Sequence, residues 1–276
     1  MATASGRTAP WYIPWLLLAP GLAWLGFFFV VPMITLFNKS LQGEGLGNYR
    51  WVFSSNTETI LRTFGYALTA TICAVLIGYP LAYFIAMKGG KYKSALLALV
   101  VLPFFTTYLI RTIAWRVLLT SRGPIPGFLR WIGVFDNNSE IIGTRWAVIG
   151  ALVYNFLPFM ILPIYVSLEK VDRKLLEAGP DLYASGWRTF RKITLPLTTP
   201  GVFAGSLLTF IPAAGDFVNS ELLGSDKTRM IGQLVAETFF KEAQQPRDSA
   251  ISFVLMAVIL LGVLIYARLL GTEELV

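Results

Sequence analysis

Six long apolar runs, separated by polar segments, dominate the sequence. They cover residues 13–37, 63–87, 95–119, 146–168, 201–217 and 250–270. Most of them are close to the ~20 residues that a helix needs to cross the hydrocarbon core of a bilayer. The pattern predicts an all-α membrane protein with six transmembrane helices, in a single domain over residues 1–276. The first run is expected to be an uncleaved span, because its apolar core is too long for a signal peptide.

The connecting segments carry weaker signals. Residues 38–62 are predicted to form a polar connection with aromatic side chains at the membrane interface. Gly201 and Gly205 have the small-xxx-small spacing that is typical of close helix contacts. Helical spacing within residues 218–249 predicts a helix on the membrane surface or on the protein. The positions with this spacing are Ile231, Leu234, Val235, Thr238 and Phe239.

The composition agrees with a membrane-spanning chain and narrows its chemistry. Charged residues make up 14% of the sequence, against about a quarter in soluble domains. The net charge of +7 lies in loops between apolar runs, which fits membrane topology better than nucleic-acid binding. The single cysteine excludes an intramolecular disulfide, and without histidine the commonest general base and metal ligand are missing. We therefore expect no catalytic residues and no metal site.

The distribution of basic residues predicts an orientation in the membrane. The 88–93 turn and the 169–197 segment hold nine Lys and Arg residues and only four acids. The loops on the other side are nearly balanced in charge. Because short cytoplasmic loops carry the excess of Lys and Arg, both termini and the 169–200 loop are expected in the cytoplasm.

Three classes of membrane protein are compatible with these features. A G-x-x-x-x-G-K-[ST] phosphate-binding loop is not present, so an ATP-driven transporter would carry its nucleotide sites on another polypeptide. A secondary transporter would need paired ionisable groups near the bilayer midplane, and the sequence offers few. A membrane enzyme would need a metal set or a nucleophile–base pair, and neither is visible.

Polar side chains at membrane depth are costly, so each is a functional candidate. Arg111 and Asp216 both fall in the outer half of the predicted spans and are expected to form a structural ion pair, unless Arg111 snorkels outward. Asp216 is alternatively a cation-attracting group at the outer mouth. Asn155 lies inside the fourth run.

Residues 176–200, LEAGPDLYASGWRTFRKITLPLTTP, are polar and basic between two apolar runs. We expect a short helix over 175–183, a turn at 184–186, a second helical piece over 187–194 and a proline stop. The order of residues resembles the EAA loop of ABC-importer permeases, the helix that meets the ATPase. Gly179 and Tyr183 depart from it, standing where the motif has its second Ala and its Gly. The matching residues are Glu177, Ala178, Ile193, Leu195 and Pro196.

Stretches outside this loop are similar to the spermidine/putrescine branch of these permeases. They are residues 78–84, 109–115, 210–217, 221–224 and 230–234. The resemblance implies a type I ABC-importer (MetI-like) permease fold with a cytoplasmic coupling helix, in the bacterial inner membrane. It implies translocation of polyamines, although relatives for iron, thiamine, opines or phosphonates share much of these stretches.

The same resemblance implies partners and site residues. The partners are a second homologous permease in a heterodimer, which the first apolar run would wrap, two ATPase subunits that hold ATP and Mg, and an extracytoplasmic binding protein. No cofactor is expected on this chain. The implied ATPase-coupling residues are Glu177, Ala178, Gly179, Tyr183, Gly186, Ile193, Leu195 and Pro196. A path for a polycation should offer carboxylates and aromatic faces, and the candidates are Asp216, Glu221, Tyr108, Trp115, Phe217 and Asn155.

Overall fold

The described part of the chain is mainly helical and contains no strand. The structure, a computed structural model, describes residues 12–134, 136, 140–172, 174–177, 183–238 and 245–270. Its helices are α1 (Ile13–Leu25), α2 (Val31–Ser40), α3 (Leu46–Tyr83), α4 (Lys93–Val101), α5 (Tyr108–Leu119), α6 (Pro124–Trp131), α7 (Arg145–Glu169), α8 (Gly186–Thr189), α9 (Leu195–Ala214), α10 (Val218–Leu223), α11 (Ile231–Glu237) and α12 (Gln245–Leu270).

Five of the described helical segments are long and apolar enough to cross a membrane. They are Trp15–Ser40, Leu46–Lys88, Arg145–Glu169, Gly186–Ala214 and Pro246–Ile265. A sixth crossing is possible if Gly90–Phe105 and Tyr108–Trp131, which are bent by 92° relative to each other, count as one broken span. The expected all-α membrane class is confirmed.

Helices α3, α7 and α9 pack against one another and form the centre of the fold. Helix α3 contributes small residues at helical spacing, Ala67, Ala70 and Ala74, which are fully buried. Small side chains let helix backbones approach closely, and larger residues of α7, such as Leu152 and Met160, fill the space beside them. Both candidate sites described below adjoin this three-helix unit.

The contact between α7 and α9 is closest at two glycines of α9. A Cβ atom at Gly201 would lie 2.6 Å from the backbone oxygen of Pro163. At Gly205 it would lie 2.9 Å from the sulfur of Met160 and 3.0 Å from that residue's backbone oxygen. Real Cβ atoms are almost never this close to a neighbour, so the predicted close helix contact at these glycines is confirmed.

Helices α1 and α2 lie at the edge of the bundle. Helix α2 packs against α12, whereas the most apolar stretch of Trp15–Ser40 buries none of its residues in the described chain. An apolar helix surface that none of the described residues covers is typical of a span that faces lipid or another subunit.

Most of the predicted polar connection over residues 38–62 is helical. Helix α2 continues to Ser40 and α3 begins at Leu46. One stripe of this part of α3 is buried at four-residue spacing: Asn48, Val52, Asn56 and Ile60. Val52 and Ile60 pack with residues of α11 and α12. The two asparagines in the stripe hid the helical periodicity of the apolar positions.

The predicted third span, residues 95–119, is broken into two helices. A 3₁₀ turn covers Leu102–Phe105, and the backbone is extended at Thr106 and Thr107 before α5 begins. Pro103 lacks an N–H group and its ring clashes with the preceding helical turn, which ends α4 here. The bend places α5 beside α7 and α10.

The helix predicted around residues 231–239 is present as α11. Its Ile231 is buried, and Leu234 and Val235 pack against a cluster of α3 and α12 residues. Of the two predicted positions, on the membrane surface or on the protein, α11 therefore occupies the second. Phe239 lies outside the described residues.

We expect Gly201→Ala to destabilise the protein by about 1–3 kcal/mol, because the added methyl group overpacks the α7–α9 contact. Thermal unfolding of the purified protein in detergent measures this as a lower Tm. Gly150→Ala on α7 is the matched control, since a Cβ there meets no atom within 4 Å. An unchanged Tm for Gly201→Ala would contradict the assigned contact.

Candidate functional site

A cluster of buried polar side chains joins α5, α7 and the turn between α9 and α10. Its members are Tyr108, Thr112, Asn155, Asp216 and Asn219. Tyr108 and Thr112 are one turn apart on α5, and therefore lie on the same face of that helix. Asp216 precedes α10, and Asn219 lies in its first turn. The break after Phe105 and the α9–α10 turn thus bring these residues to Asn155 of α7.

Asn219 lies at the centre of the cluster. Its Nδ2 donates to the Tyr108 hydroxyl oxygen at 2.6 Å and to Asp216 Oδ2 at 3.4 Å. Its Oδ1 accepts from Thr112 Oγ1 at 3.1 Å and from Asn155 Nδ2 at 3.2 Å. One amide side chain therefore connects three structural elements.

The Asp216 carboxylate accepts several hydrogen bonds within the cluster. The Tyr108 hydroxyl donates to its Oδ2, and the backbone N–H of Asn219 donates to its Oδ1 at 2.8 Å. Asp216 is only 7% exposed. Such donors offset the cost of burying a carboxylate, which is large without partners.

A second oxygen in the cluster can accept a further hydrogen bond. Oδ1 of Asn155 is buried and accepts no hydrogen bond from the described residues. A buried acceptor without a donor is costly. The cluster thus combines a carboxylate with an unpaired amide oxygen, a set that suits a ligand rich in N–H donors.

Arg111 and Asp216 do not form the predicted ion pair. The Arg111 guanidinium lies over two aromatic rings, 5.2 Å from the Phe104 centroid and 5.7 Å from the Tyr108 centroid. The reason is the late start of α5, which places Tyr108 one turn before Arg111 with its hydroxyl on the carboxylate. Cation–π contacts therefore replace the ion pair.

The other predicted path residues lie outside the cluster. Glu221 is exposed on α10. Trp115 packs edge-on against Tyr154, at 5.4 Å between ring centroids. Phe217 lines an apolar groove of about 680 Å³ between α9, α11 and α12.

Thr112 and Asn219 were missed in the sequence. Each lies one helical turn from a residue that was identified, Thr112 after Tyr108 and Asn219 after Asp216. The i, i+3 and i, i+4 spacing was the available signal. It becomes readable only once the starts of α5 and α10 are known.

The second candidate site is the basic segment between α7 and α9. Glu177 is exposed at the end of a helical turn over residues 174–177, and Ala178 and Gly179 lie outside the described residues. Tyr183 is 99% exposed and has φ 55°. This left-handed conformation favours glycine, the residue that the resembled motif has at this position. The backbone geometry is therefore that of a glycine turn, although the residue is tyrosine.

Two details of the segment differ from the prediction. The helical piece begins at Gly186, where the Ser185 side chain accepts from the backbone N–H of Arg188 at 3.3 Å. Pro196 does not end it, because one continuous helix runs through Gly186–Ala214. A π turn over Phe190–Thr194 precedes the proline. Its wider hydrogen-bond register accommodates the ring and the missing N–H group.

The remaining coupling candidates lie on this continuous helix. Leu195 and Pro196 are exposed and Ile193 is partly exposed. The neighbouring side chains of Arg188, Arg191 and Lys192 are exposed as well. The first turns of this helix therefore present a basic surface, and its later part, α9, packs against α3 and α7.

These features define a membrane transport component, and comparison with known proteins agrees. Residues 78–271 match the model of the family described as binding-protein-dependent transport system inner membrane component. The chain belongs to this family, which confirms the resemblance to ABC-importer permeases. It is thus a transport permease component of an inner membrane rather than an enzyme.

One similar curated protein is the spermidine/putrescine transport system permease protein PotB of Escherichia coli (strain K12). It is 37% identical over 258 residues, which cover 90% of this chain and 94% of PotB. Among solved structures, a bacterial ABC transporter that imports the acidic polysaccharide alginate has the same fold. Its TM-score is 0.76 at 20% identity, and the match covers 95% of this chain and 96% of that one.

A second alginate transporter structure was determined in complex with an alginate pentasaccharide-bound periplasmic protein. It matches with a TM-score of 0.72 and 21% identity, over 93% of each chain. At this identity the similarity establishes the permease fold alone.

We expect Asn219→Leu to destabilise the protein by about 3 kcal/mol, because the change leaves several buried polar groups without partners. Thermal unfolding in detergent measures the effect. Asn38→Leu makes the same chemical change at an exposed position of α2 and serves as control. Equal Tm values for the two variants would show that the cluster contributes nothing to stability.

Proposed function

We propose that this chain is the permease subunit of an ATP-driven importer that moves polyamines, such as spermidine and putrescine, into the cytoplasm. The observation that carries the substrate class is the cluster around Asp216, where one hydrogen-bonded group contains a carboxylate and an amide oxygen that has no donor among the described residues. The similarity to PotB, a permease named for these substrates, supports the same assignment.

The chemistry of the cluster fits a polyamine, which carries several protonated amines separated by short methylene chains. Each amine offers N–H donors and a positive charge. The Asp216 and Asn155 oxygens can accept the hydrogen bonds, and the negative charge of Asp216 attracts the cation. The Phe104 and Tyr108 rings already lie against Arg111. Oxygen atoms, rather than these ring faces, are therefore the partners of the cation.

Hydrolysis of ATP, which two partner ATPase subunits bind together with Mg, supplies the energy for transport. Their docking surface is the segment from Glu177 to Pro196, whose exposed Arg188, Arg191 and Lys192 offer basic contacts. Asn155 and Glu169 are 14 residues apart on α7, or about 21 Å along the helix axis. The docking surface and the cluster are therefore distinct sites, separated along α7.

The complete importer contains further subunits. A second, homologous permease forms a heterodimer with this chain and covers the apolar surface of α1, and an extracytoplasmic binding protein delivers the substrate. Both termini and the basic segment face the cytoplasm, in agreement with the excess of Lys and Arg there. The end of α9 at Asp216 then lies toward the side from which the substrate arrives.

We expect Glu177→Lys to uncouple ATP hydrolysis from uptake, because it reverses a charge on the ATPase-docking surface. Uptake and ATP hydrolysis are measured together in proteoliposomes that contain the whole importer. Asp226→Lys is the control, since Asp226 is also exposed, pairs only with Arg229 among the described cations, and lies in a turn that is bonded to the loop before the opposite end of α7. Normal ATP-dependent uptake by Glu177→Lys would contradict the proposed docking.

We expect Asp216→Asn to lower spermidine uptake by about tenfold, the equivalent of ~1.4 kcal/mol, because it removes the negative charge and leaves the shape of the side chain. Glu221→Gln, at an exposed position outside the cluster, should transport normally. The measurement is the initial rate of uptake of radiolabelled spermidine. If the two variants transport equally well, Asp216 is not the cation-binding group.

A further inference from the structure

A column of aromatic rings connects the basic segment to the core of the fold. Trp187 stacks on Phe190, with 5.4 Å between ring centroids and an interplanar angle of 24°. Phe190 meets Tyr79 of α3 edge to face at 5.6 Å, and Tyr83 of the same helix at 6.0 Å. Aromatic pairs of this geometry interact favourably beyond the area that they bury.

The column runs from the surface to the interior. Trp187 is 70% exposed, Phe190 is partly buried and Tyr79 is 7% exposed. Tyr79 belongs to a buried cluster of α3 and α7 that includes Met160 and Ile164. Phe190 is therefore the intermediate ring between the exposed Trp187 and the packed centre of the molecule.

Tyr79 makes a second contact with the same helix. Its hydroxyl is hydrogen-bonded to Thr198 Oγ1 at 2.8 Å, and Thr198 is fully buried. Phe190 begins the π turn that ends at Thr194, and Thr198 lies one turn beyond it. Tyr79 thus holds the helix on both sides of this π turn, at Phe190 by its ring and at Thr198 by its hydroxyl.

This arrangement fixes how the segment can move. A π turn contains a looser hydrogen-bond register than an α-helix and is often found at functional sites. Arg188 before it is exposed, whereas Thr198 and Gly201 after it are buried against α3 and α7. Displacement of the exposed end reaches α3 first at the contact between Phe190 and Tyr79.

We propose that Phe190 is the positioning residue through which movement of the basic segment is transmitted to α3. This inference depends on the proposed function, in which partner ATPases bind the segment. The role requires the aromatic ring, because a flexible aliphatic side chain would not keep its orientation against Tyr79 and Tyr83. It does not require Phe190 itself to contact the ATPases.

The test compares variants of the assembled importer in proteoliposomes, with the number of spermidine molecules imported per ATP hydrolysed as the readout. We expect Phe190→Leu to lower this ratio by about fivefold, which corresponds to the lower end of the interaction free energy of its two ring contacts with α3. Phe190→Tyr keeps the ring and should retain most of the ratio. Phe53→Leu, at an exposed position of α3, is the matched control.

A second readout separates transmission from folding and from assembly. Cys73, the chain's single cysteine, is first replaced by serine. A fluorophore is then attached to the cysteine introduced by Ile77→Cys, at an exposed position of α3. We expect its ATP-dependent signal to be lost in Phe190→Leu, while the ATPase subunits still copurify. Loss of copurification, or an unchanged signal with an unchanged ratio, would overturn the proposal.

Glu177→Lys, measured in parallel, separates this inference from the proposed function. If Glu177→Lys uncouples the importer and Phe190→Leu behaves like the parent protein, Phe190 has no transmission role and the docking surface stands. If neither variant affects the ratio, the docking surface itself is wrong.

Discussion

Close backbone contact between α7 and α9 is the constraint on which the rest of the structure depends. In a bilayer, helices gain little by hiding apolar side chains from one another, because lipid is equally apolar. Contact between backbones, such as that of Gly205 with Met160, supplies the packing instead. It fixes the first half of α9 on α7, with the basic segment before α9 and the Asp216 turn after it. A shift of α9 along α7 would move both candidate sites together.

The polar cluster follows from the same property of the bilayer, which offers no hydrogen-bond partners. Polar side chains between helices must find partners within the protein, and Asn219 provides them for α5, α7 and the α9–α10 turn. These three elements are far apart in sequence, and hydrogen bonds connect them at this point. The cluster is therefore a structural joint as well as a candidate binding site. The same atoms serve both purposes, so binding a cation there would also change how the helices are held.

Much of the architecture was predictable from long-range patterns, and the local geometry was not. Runs of about 20 apolar residues identified the spans, and the spacing of Gly201 and Gly205 identified a close contact. The early start of α3 was missed because Asn48 and Asn56 share a stripe with Val52 and Ile60. The break at Pro103 decided the environment of Arg111, and no composition or charge pattern predicts which ring a guanidinium will meet. In the candidate site, Tyr108, Asn155 and Asp216 were identified singly, whereas Asn219, which joins them, depends on the tertiary arrangement.

The break in the third apolar run has a consequence for hydration. Between Leu102 and Thr107 the chain leaves the α-helical hydrogen-bond pattern, and the first N–H groups of α5 lack partners within that helix. Hydrocarbon cannot satisfy such groups, so irregular backbone at membrane depth occurs only where protein or water covers it. Thr106 and Thr107 are exposed at this point. This side of the subunit must therefore face an aqueous cavity or a neighbouring subunit, and lipid can cover only the helical surfaces around it.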